Sequence, residues 1–175
     1  IFAAHSDKIY LNSKIFNRIK AVKTDGLDAE DKRLIEVYKQ RFELAGANLT
    51  DAQKEQMKAI NAELATLSTQ FTSKLLEARK KGAVLINDVK ELDGLSADEI
   101  AAAATDAKNA GQEGKYLLTL LNTTQQPLLQ NLKNRATREK LFKASWYRAE
   151  KGDENDTRAI LEKTAKLKMD KAHLK

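Results

Sequence analysis

Cysteine is missing altogether from these 175 residues, proline occurs once and glycine seven times. Without thiols neither a disulfide framework nor a thiolate metal site can form, and cysteine avoidance fits a reducing compartment. So little turn chemistry excludes an all-β protein of many short strands and leaves long helices as the expected architecture. Histidine is scarce as well, since His5 and His173 are the only two and stand at opposite ends of the chain. A helical HExxH zinc site needs two histidines one turn apart with a glutamate between them, so this chain cannot supply one. There is no GxSxG turn, no glycine-rich phosphate loop and no cysteine nucleophile. No run approaches the ~18 apolar residues of a membrane-spanning helix, and the opening IFAAHSDKIY lacks the basic-then-apolar layout of a secretory signal. A membrane partner is therefore not expected, and the cytoplasm is the expected location.

What is present suits a folded protein: 42% hydrophobic and 32% charged residues, in a length that fits one domain. The net charge of +6 is unevenly placed. Basic and acidic residues balance over 1–127, at 18 each, whereas 128–175 hold 13 basic against 7 acidic. Acids interrupt that basic stretch throughout and no glycine-aromatic RNA-binding motif accompanies it, so a solvated helical surface is the better reading than nucleic-acid binding.

Along the chain, Ile15, Ile19 and Val22 at helical spacing predict a short first helix within 11–24, ended by Asp25-Gly26. Asp28 can cap a second helix over 29–46 whose inner face is Leu34, Val37, Tyr38, Phe42 and Ala45. Thr50 and Gln53 form a capping box, and Met57, Ile60, Leu64, Leu67, Phe71, Leu75 and Ala78 then recur at spacings of 3 and 4 as far as Gly82. A helix over 51–81 follows, about 46 Å long at ~1.5 Å per residue, with that stripe facing a core. AVLIND and KYLLTLLN (115–122) predict two short strands around a helix that Ser96 and Glu99 open and Gly111 and Gly114 close. Pro127 predicts a short helix beginning near Gln125. In the next helix Leu141, Phe142, Ala144, Ser145, Trp146 and Ala149 form one broad inner face. In the last, opened by Asp156, Ile160, Leu161, Ala165 and Leu167 point inward, and Lys163, Lys166 and Lys171 outward. The fold expected is mainly α: a multi-helix lobe with one long central helix and a small two-stranded β element, kept as one unit because no linker is visible. The chain opens on Ile1, and its last sixteen residues read as a helix without a stop signal, which suggests an excised segment.

The residues carry no catalytic signature. The acids Asp28, Glu30 and Asp31, and again Asp153, Glu154 and Asp156, sit at helix starts, where the macrodipole favours them. Arg135, Arg138, Trp146, Tyr147 and Arg148 form the most function-like group, because arginines and aromatics together suit recognition of peptides or carboxylates. The structural alternative has the arginines pairing Glu139, Glu150 or helix carbonyls, and Trp146 anchoring the core.

Four stretches carry a resemblance: HSDKIYLN at 5–12, RLIEVYKQRFELAGANL at 33–49, NAELATLSTQF at 61–71, and LLNTTQQPLLQNLKNRATREKLFKASWYRAEKGDENDTRAIL at 120–161. In order and over nearly the whole chain they resemble the bacterial peptidyl-dipeptidase (Dcp) branch of the zinc metallopeptidases that include thimet oligopeptidase, neurolysin and oligopeptidase A. Thimet-type members tend to carry an aromatic residue before the proline matching Pro127; Gln126 here points to the peptidyl-dipeptidase branch. The resemblance implies a longer helical enzyme of two lobes around a deep channel, which releases dipeptides from the C-terminus of oligopeptides. Its HExxH motif, the downstream zinc-binding glutamate and the histidine- and tyrosine-rich substrate segment have no counterpart here. It thus implies zinc in the parent enzyme and none bound by this segment, which would lie upstream of the catalytic region and form part of the channel wall. Oligopeptides and the remaining catalytic lobe are the implied partners. No catalytic or metal-ligating residue carries over, and substrate-binding residues are left unassigned. The alternative is an independent α-helical interaction module that uses the 57–78 stripe or the basic C-terminal third.

Overall fold

Asn12 divides the opening of the chain: its side-chain oxygen accepts the backbone N–H groups of Lys14 and Ile15 at 2.9 and 3.2 Å, starting a new helix there. In the computed structural model, which describes residues 2–123 and 126–175, helix α1 (Phe2–Tyr10) precedes that break and α2 (Ser13–Lys20) follows it. The short helix expected within 11–24 is α2, and α1 before it is a further helix that the apolar spacing did not indicate. The expected inner face of α2 shifts, because Phe16 is buried while Ile15 and Val22 are exposed. The remaining helices are α3 (Ala29–Ala45), α4 (Asp51–Lys81), α5 (Ala97–Asn109), α6 (Leu128–Asn131), α7 (Arg135–Trp146) and α8 (Arg158–His173). Strands β1 (Val84–Ile86) and β2 (Tyr116–Leu118) flank α5.

The chain divides into two compact units, the first comprising residues up to Thr69 with Ile160–Lys175, the second Gln70–Ala159. In the first, α1 and α2 pack on α3 around Phe16, Phe42 and Ala47, with Tyr10 and Ile19 against them. The Phe16 and Phe42 rings stack at 5.8 Å, and Tyr10 tilts onto Phe42 at 5.1 Å, geometries that add to simple burial. Asp28 caps α3 as expected, accepting the Asp31 N–H at 2.8 Å. Gly46 ends it with φ 107°, a left-handed conformation that lets its N–H reach the Phe42 and Glu43 carbonyls. Leu34 and Tyr38, expected inside, are exposed, so α3 buries a narrower stripe centred on Phe42.

The Thr50–Gln53 box opens α4, with the Gln53 N–H donating to Thr50 Oγ1 and the Thr50 N–H to Gln53 Oε1. Of the expected stripe on α4, Met57, Leu67 and Ala78 are buried; Ile60, Leu64, Phe71 and Leu75 are half-buried. Two further expectations fail on α8. Leu161 and Ala165 are exposed, and Lys171 turns half-inward to donate to Asn61 Oδ1 at 2.6 Å, while Asn61 donates to Asp7 at 2.6 Å. A half-buried polar network of Asp7, Asn61 and Lys171 thus holds this side of α8, while Leu161 and Ala165 face solvent.

In the second unit β1 and β2 pair antiparallel in the register Val84↔Leu118, Leu85↔Leu117 and Ile86↔Tyr116. Ile86 and Leu118 are almost fully buried, and α5 packs on β2 while α7 packs on β1. The core here is Ile86, Leu92, Leu95, Ala103, Leu118, Leu120, Leu132 and Leu141. Both halves of the Ser96–Glu99 capping box are formed at the start of α5. Pro127 stands at the N-cap of α6; a start near Gln125 lies outside the described residues.

Candidate functional site

The arginine-aromatic group gathers around α6 and α7 of the second unit. Leu141, Ser145 and Thr137 face the core from α7 and are buried. Phe142 and Trp146 lie on the neighbouring face of the same helix, and they are 48% and 61% exposed. Trp146 therefore does not anchor the core, and Phe142 does not join it. The two rings stack on each other instead, with centroids 5.7 Å apart and planes 17° from parallel. Tyr147, next in the chain, is also exposed.

The arginines divide by role. Arg148 reaches back over the chain, its Nη1 donating to the Leu121 carbonyl at 2.9 Å, its Nη2 to Thr123 at 2.7 Å and its Nε to Ser145 at 3.1 Å. Gln126 completes this staple from inside: buried, it donates to Ser145 Oγ at 3.1 Å and to the Thr123 carbonyl at 3.0 Å, and accepts the Leu121 N–H at 3.0 Å. An aromatic ring at this position could make none of these bonds, which gives Gln126 a structural reason beyond its use as a branch marker. Arg138 spends Nη1 on the carbonyls of Leu132 and Lys133, at 2.7 Å each, where α6 ends. Arg135 makes no hydrogen bond or ion pair among the described residues, and no residue pairs Arg135, Arg138 or Arg148 with Glu139 or Glu150. Glu139 instead meets Lys143 at 2.6 Å, and that hydrogen bond holds its carboxyl below the usual glutamate range and raises Lys143 above the usual lysine range, with Arg135 adding to the first effect.

Leu129, Arg135, Arg138, Glu139 and Phe142 together line a shallow cavity of about 360 Å³. Sequence reasoning missed Leu129, and it placed Phe142 on the wrong side of the helix. The i,i+4 spacing of Phe142 and Trp146 was the available signal, because it sets the two rings one above the other on a face separate from Leu141 and Ser145.

Of the acids singled out in the sequence, Asp28, Asp153, Glu154 and Asp156 hold structural hydrogen bonds. Asp28 is a helix cap, and Glu154 pairs with Lys81, whose side chain holds the Glu154 carboxyl below its ordinary range. Asp156 accepts the Gly152 N–H at 2.8 Å and the Arg158 N–H at 3.0 Å, and the Arg158 guanidinium beside it holds its carboxyl far below the usual aspartate range. A carboxyl depressed by folding contributes its full stability above its unfolded value of about 4 and loses it progressively as the pH falls through the folded value. Asp156→Asn is therefore expected to lower the urea midpoint at pH 7, and the difference should largely persist at pH 3 and shrink only as the pH falls well below that, through the depressed folded value. Equal urea midpoints for the two proteins at pH 7 would show that the ion pair contributes nothing.

Among the described residues no three histidine, aspartate or glutamate side chains converge as a metal ion would need. The residues present do not fit a zinc site, and no chemical step through zinc is assigned to them. No helix among the described residues is long and apolar enough to cross a membrane.

No known family model matches the chain. It is 49% identical over 173 residues to dipeptidyl carboxypeptidase of Escherichia coli (strain K12), covering 97% of this chain and 25% of that protein. It is 35% identical over 170 residues to a probable cytosolic oligopeptidase A of Arabidopsis thaliana, covering 91% of this chain and 24% of that protein. It is 28% identical over 182 residues to oligopeptidase A of Haemophilus influenzae, covering 99% and 27%. The chain spans about a quarter of the length of the curated relatives it matches.

Proposed function

The chain belongs to the thimet oligopeptidase family, beside the dipeptidyl carboxypeptidases, and from that premise we propose that it is one segment of a zinc peptidyl-dipeptidase. The parent enzyme releases dipeptides from the free C-terminus of oligopeptides, in the cytoplasm. This segment is part of its non-catalytic N-terminal lobe and contributes to the wall of the channel through which peptides reach the metal. Zinc and the catalytic residues belong to the remainder of the parent chain, so the segment by itself is inactive. Its partners are that catalytic lobe and the oligopeptides passing it, with neither nucleic acid nor membrane among them.

The near-complete, ordered match to dipeptidyl carboxypeptidase carries this reading. The chemistry of the segment supports it: Asp28 is a cap, Asp156 is an ion pair, and its helices offer shape rather than a cluster of reactive groups. A wall needs little more, because a narrow channel rejects folded proteins by size alone.

The test is a parallel digestion of a free-acid oligopeptide and its C-terminal amide, read by mass spectrometry, with the longer protein and with the 175-residue chain. Chelator-sensitive release of dipeptides from the free acid, by the longer protein only, is the expected result. No cleavage by the zinc-loaded longer protein, or cleavage by the 175-residue chain, would overturn the proposal.

A further inference from the structure

The exposed face of α7 holds more apolar and cationic capacity than the fold uses. Leu141 and Ser145 already satisfy the core side of this helix. Phe142 and Trp146, stacked and left in water, stabilise each other without contributing to that core. An exposed aromatic pair beside a cavity is the usual form of a recognition surface, since rigid rings provide contact area at low entropic cost.

Charge on the cavity rim indicates what the surface would accept. Glu139, the one acid lining it, is already answered by Lys143. Arg135 makes no side-chain hydrogen bond among the described residues and acts on Glu139 only through its charge, and Arg138 commits only Nη1. Two arginines and two apolar side chains, Leu129 and Phe142, thus line one cavity. A guanidinium fork matches a carboxylate, and an apolar lining matches a ring or an aliphatic side chain. Arg148 lines a second hollow beside Trp146 but is already spent on three backbone carbonyls, so the anion is placed at Arg135 and Arg138.

We propose that this cavity binds a peptide segment in which an aromatic side chain is followed closely by a carboxylate. The ring packs against Phe142 beside Trp146, and the carboxylate lies between Arg135 and Arg138. A nucleic-acid strand fits less well. Its phosphates need a continuous cationic track, whereas acids at Glu139, Glu150, Asp153, Glu154 and Asp156 interrupt this part of the chain. The test of this proposal requires no cleavage, so its failure and the failure of the peptidase reading are distinguishable.

Trp146 is the sole tryptophan of the chain and so reports its own surroundings. The experiment titrates the protein with acetyl-Phe-Asp and follows Trp146 emission, with acetyl-Ala-Asp and the uncharged acetyl-Phe-Asn amide as comparators. A saturable change is expected for acetyl-Phe-Asp, with a dissociation constant of about 1 mM, as suits an open cavity of this size. Binding should weaken about fivefold or more for either comparator, for Arg135→Ala and on raising the salt, since the pairing is electrostatic and exposed. Arg135 and Phe142 are exposed, so Arg135→Ala and Phe142→Ala should fold, as circular dichroism will show. A linear response, equal responses to all three peptides, or unchanged binding by Arg135→Ala would overturn the proposal. So would tighter binding of a short oligothymidylate, which would assign the surface to nucleic acid. A peptide-independent change that tracks dimer formation in sedimentation would assign it to a second copy of the chain.

Discussion

Replacing Gly94 by alanine is expected to be among the most damaging single substitutions in the second unit, at about 3 kcal/mol or more. Gly94 adopts φ 99°, in the left-handed region that a side chain strains. A Cβ there would also stand 2.0 Å from the Asn131 carbonyl oxygen and 3.0 Å from its carbon. Both obstacles are backbone, so no rotamer change can relieve them, and the turn must move away from the end of α6. That movement would break the 2.8 Å bond between the Lys133 N–H and the Asp93 carbonyl, and it would disturb Leu92, Leu95 and Leu132 in the core. Urea unfolding followed by circular dichroism provides the measurement. Gly111→Ala is the control, because a Cβ at Gly111, at φ 73°, meets nothing within 4 Å and incurs only the backbone strain. If the two variants were equally stable, the packing of Gly94 against α6 would carry no energy.

Leu141→Ala is expected to cost about 3 kcal/mol, while Phe142→Ala, one position along the same helix, costs less than about 1 kcal/mol. Leu141 is 1% exposed and belongs to the core between β1 and α7; Phe142 is half in water and touches that core little. Side-chain size predicts the reverse order, since phenylalanine loses the more carbon. Burial sets the cost instead, because a cavity opened inside the core cannot be filled by solvent, whereas the space left by Phe142 is. Comparable losses for the two variants would place Phe142 inside the folded unit and would remove the free surface on which peptide binding depends.

The capping residues explain which parts of the fold could be read directly. Asp28, the Thr50–Gln53 box, the Ser96–Glu99 box and Gly46 each act on backbone groups within a few residues, so the starts and ends of α3, α4 and α5 are local properties. The strand pair was legible for a related reason, as β-branched runs bounded by turns. Asn12, which caps the start of α2, belongs to the same class of signal, whereas α1 has neither a cap nor a buried residue to mark it. For the candidate site, Arg135, Arg138, Arg148, Trp146 and Tyr147 were identifiable as a group by type. The division of the arginines into a spent one, a half-spent one and one without a side-chain hydrogen bond was not.

Family, helical class and the order of the elements from α2 onward were therefore determined by the sequence alone, because they follow from residue identity and short-range hydrogen bonding. Only the tertiary structure decided which of two adjacent faces of α7 is buried, that Lys171 rather than Leu161 or Ala165 turns inward, and that Gly94 meets Asn131. On α7, Leu141 with Ser145 and Phe142 with Trp146 are both i,i+4 pairs, so periodicity shows two stripes about 100° apart without ranking them. What ranks them is the partner. β1 offers its apolar side to Leu141, and once that contact is made the aromatic pair is left facing solvent.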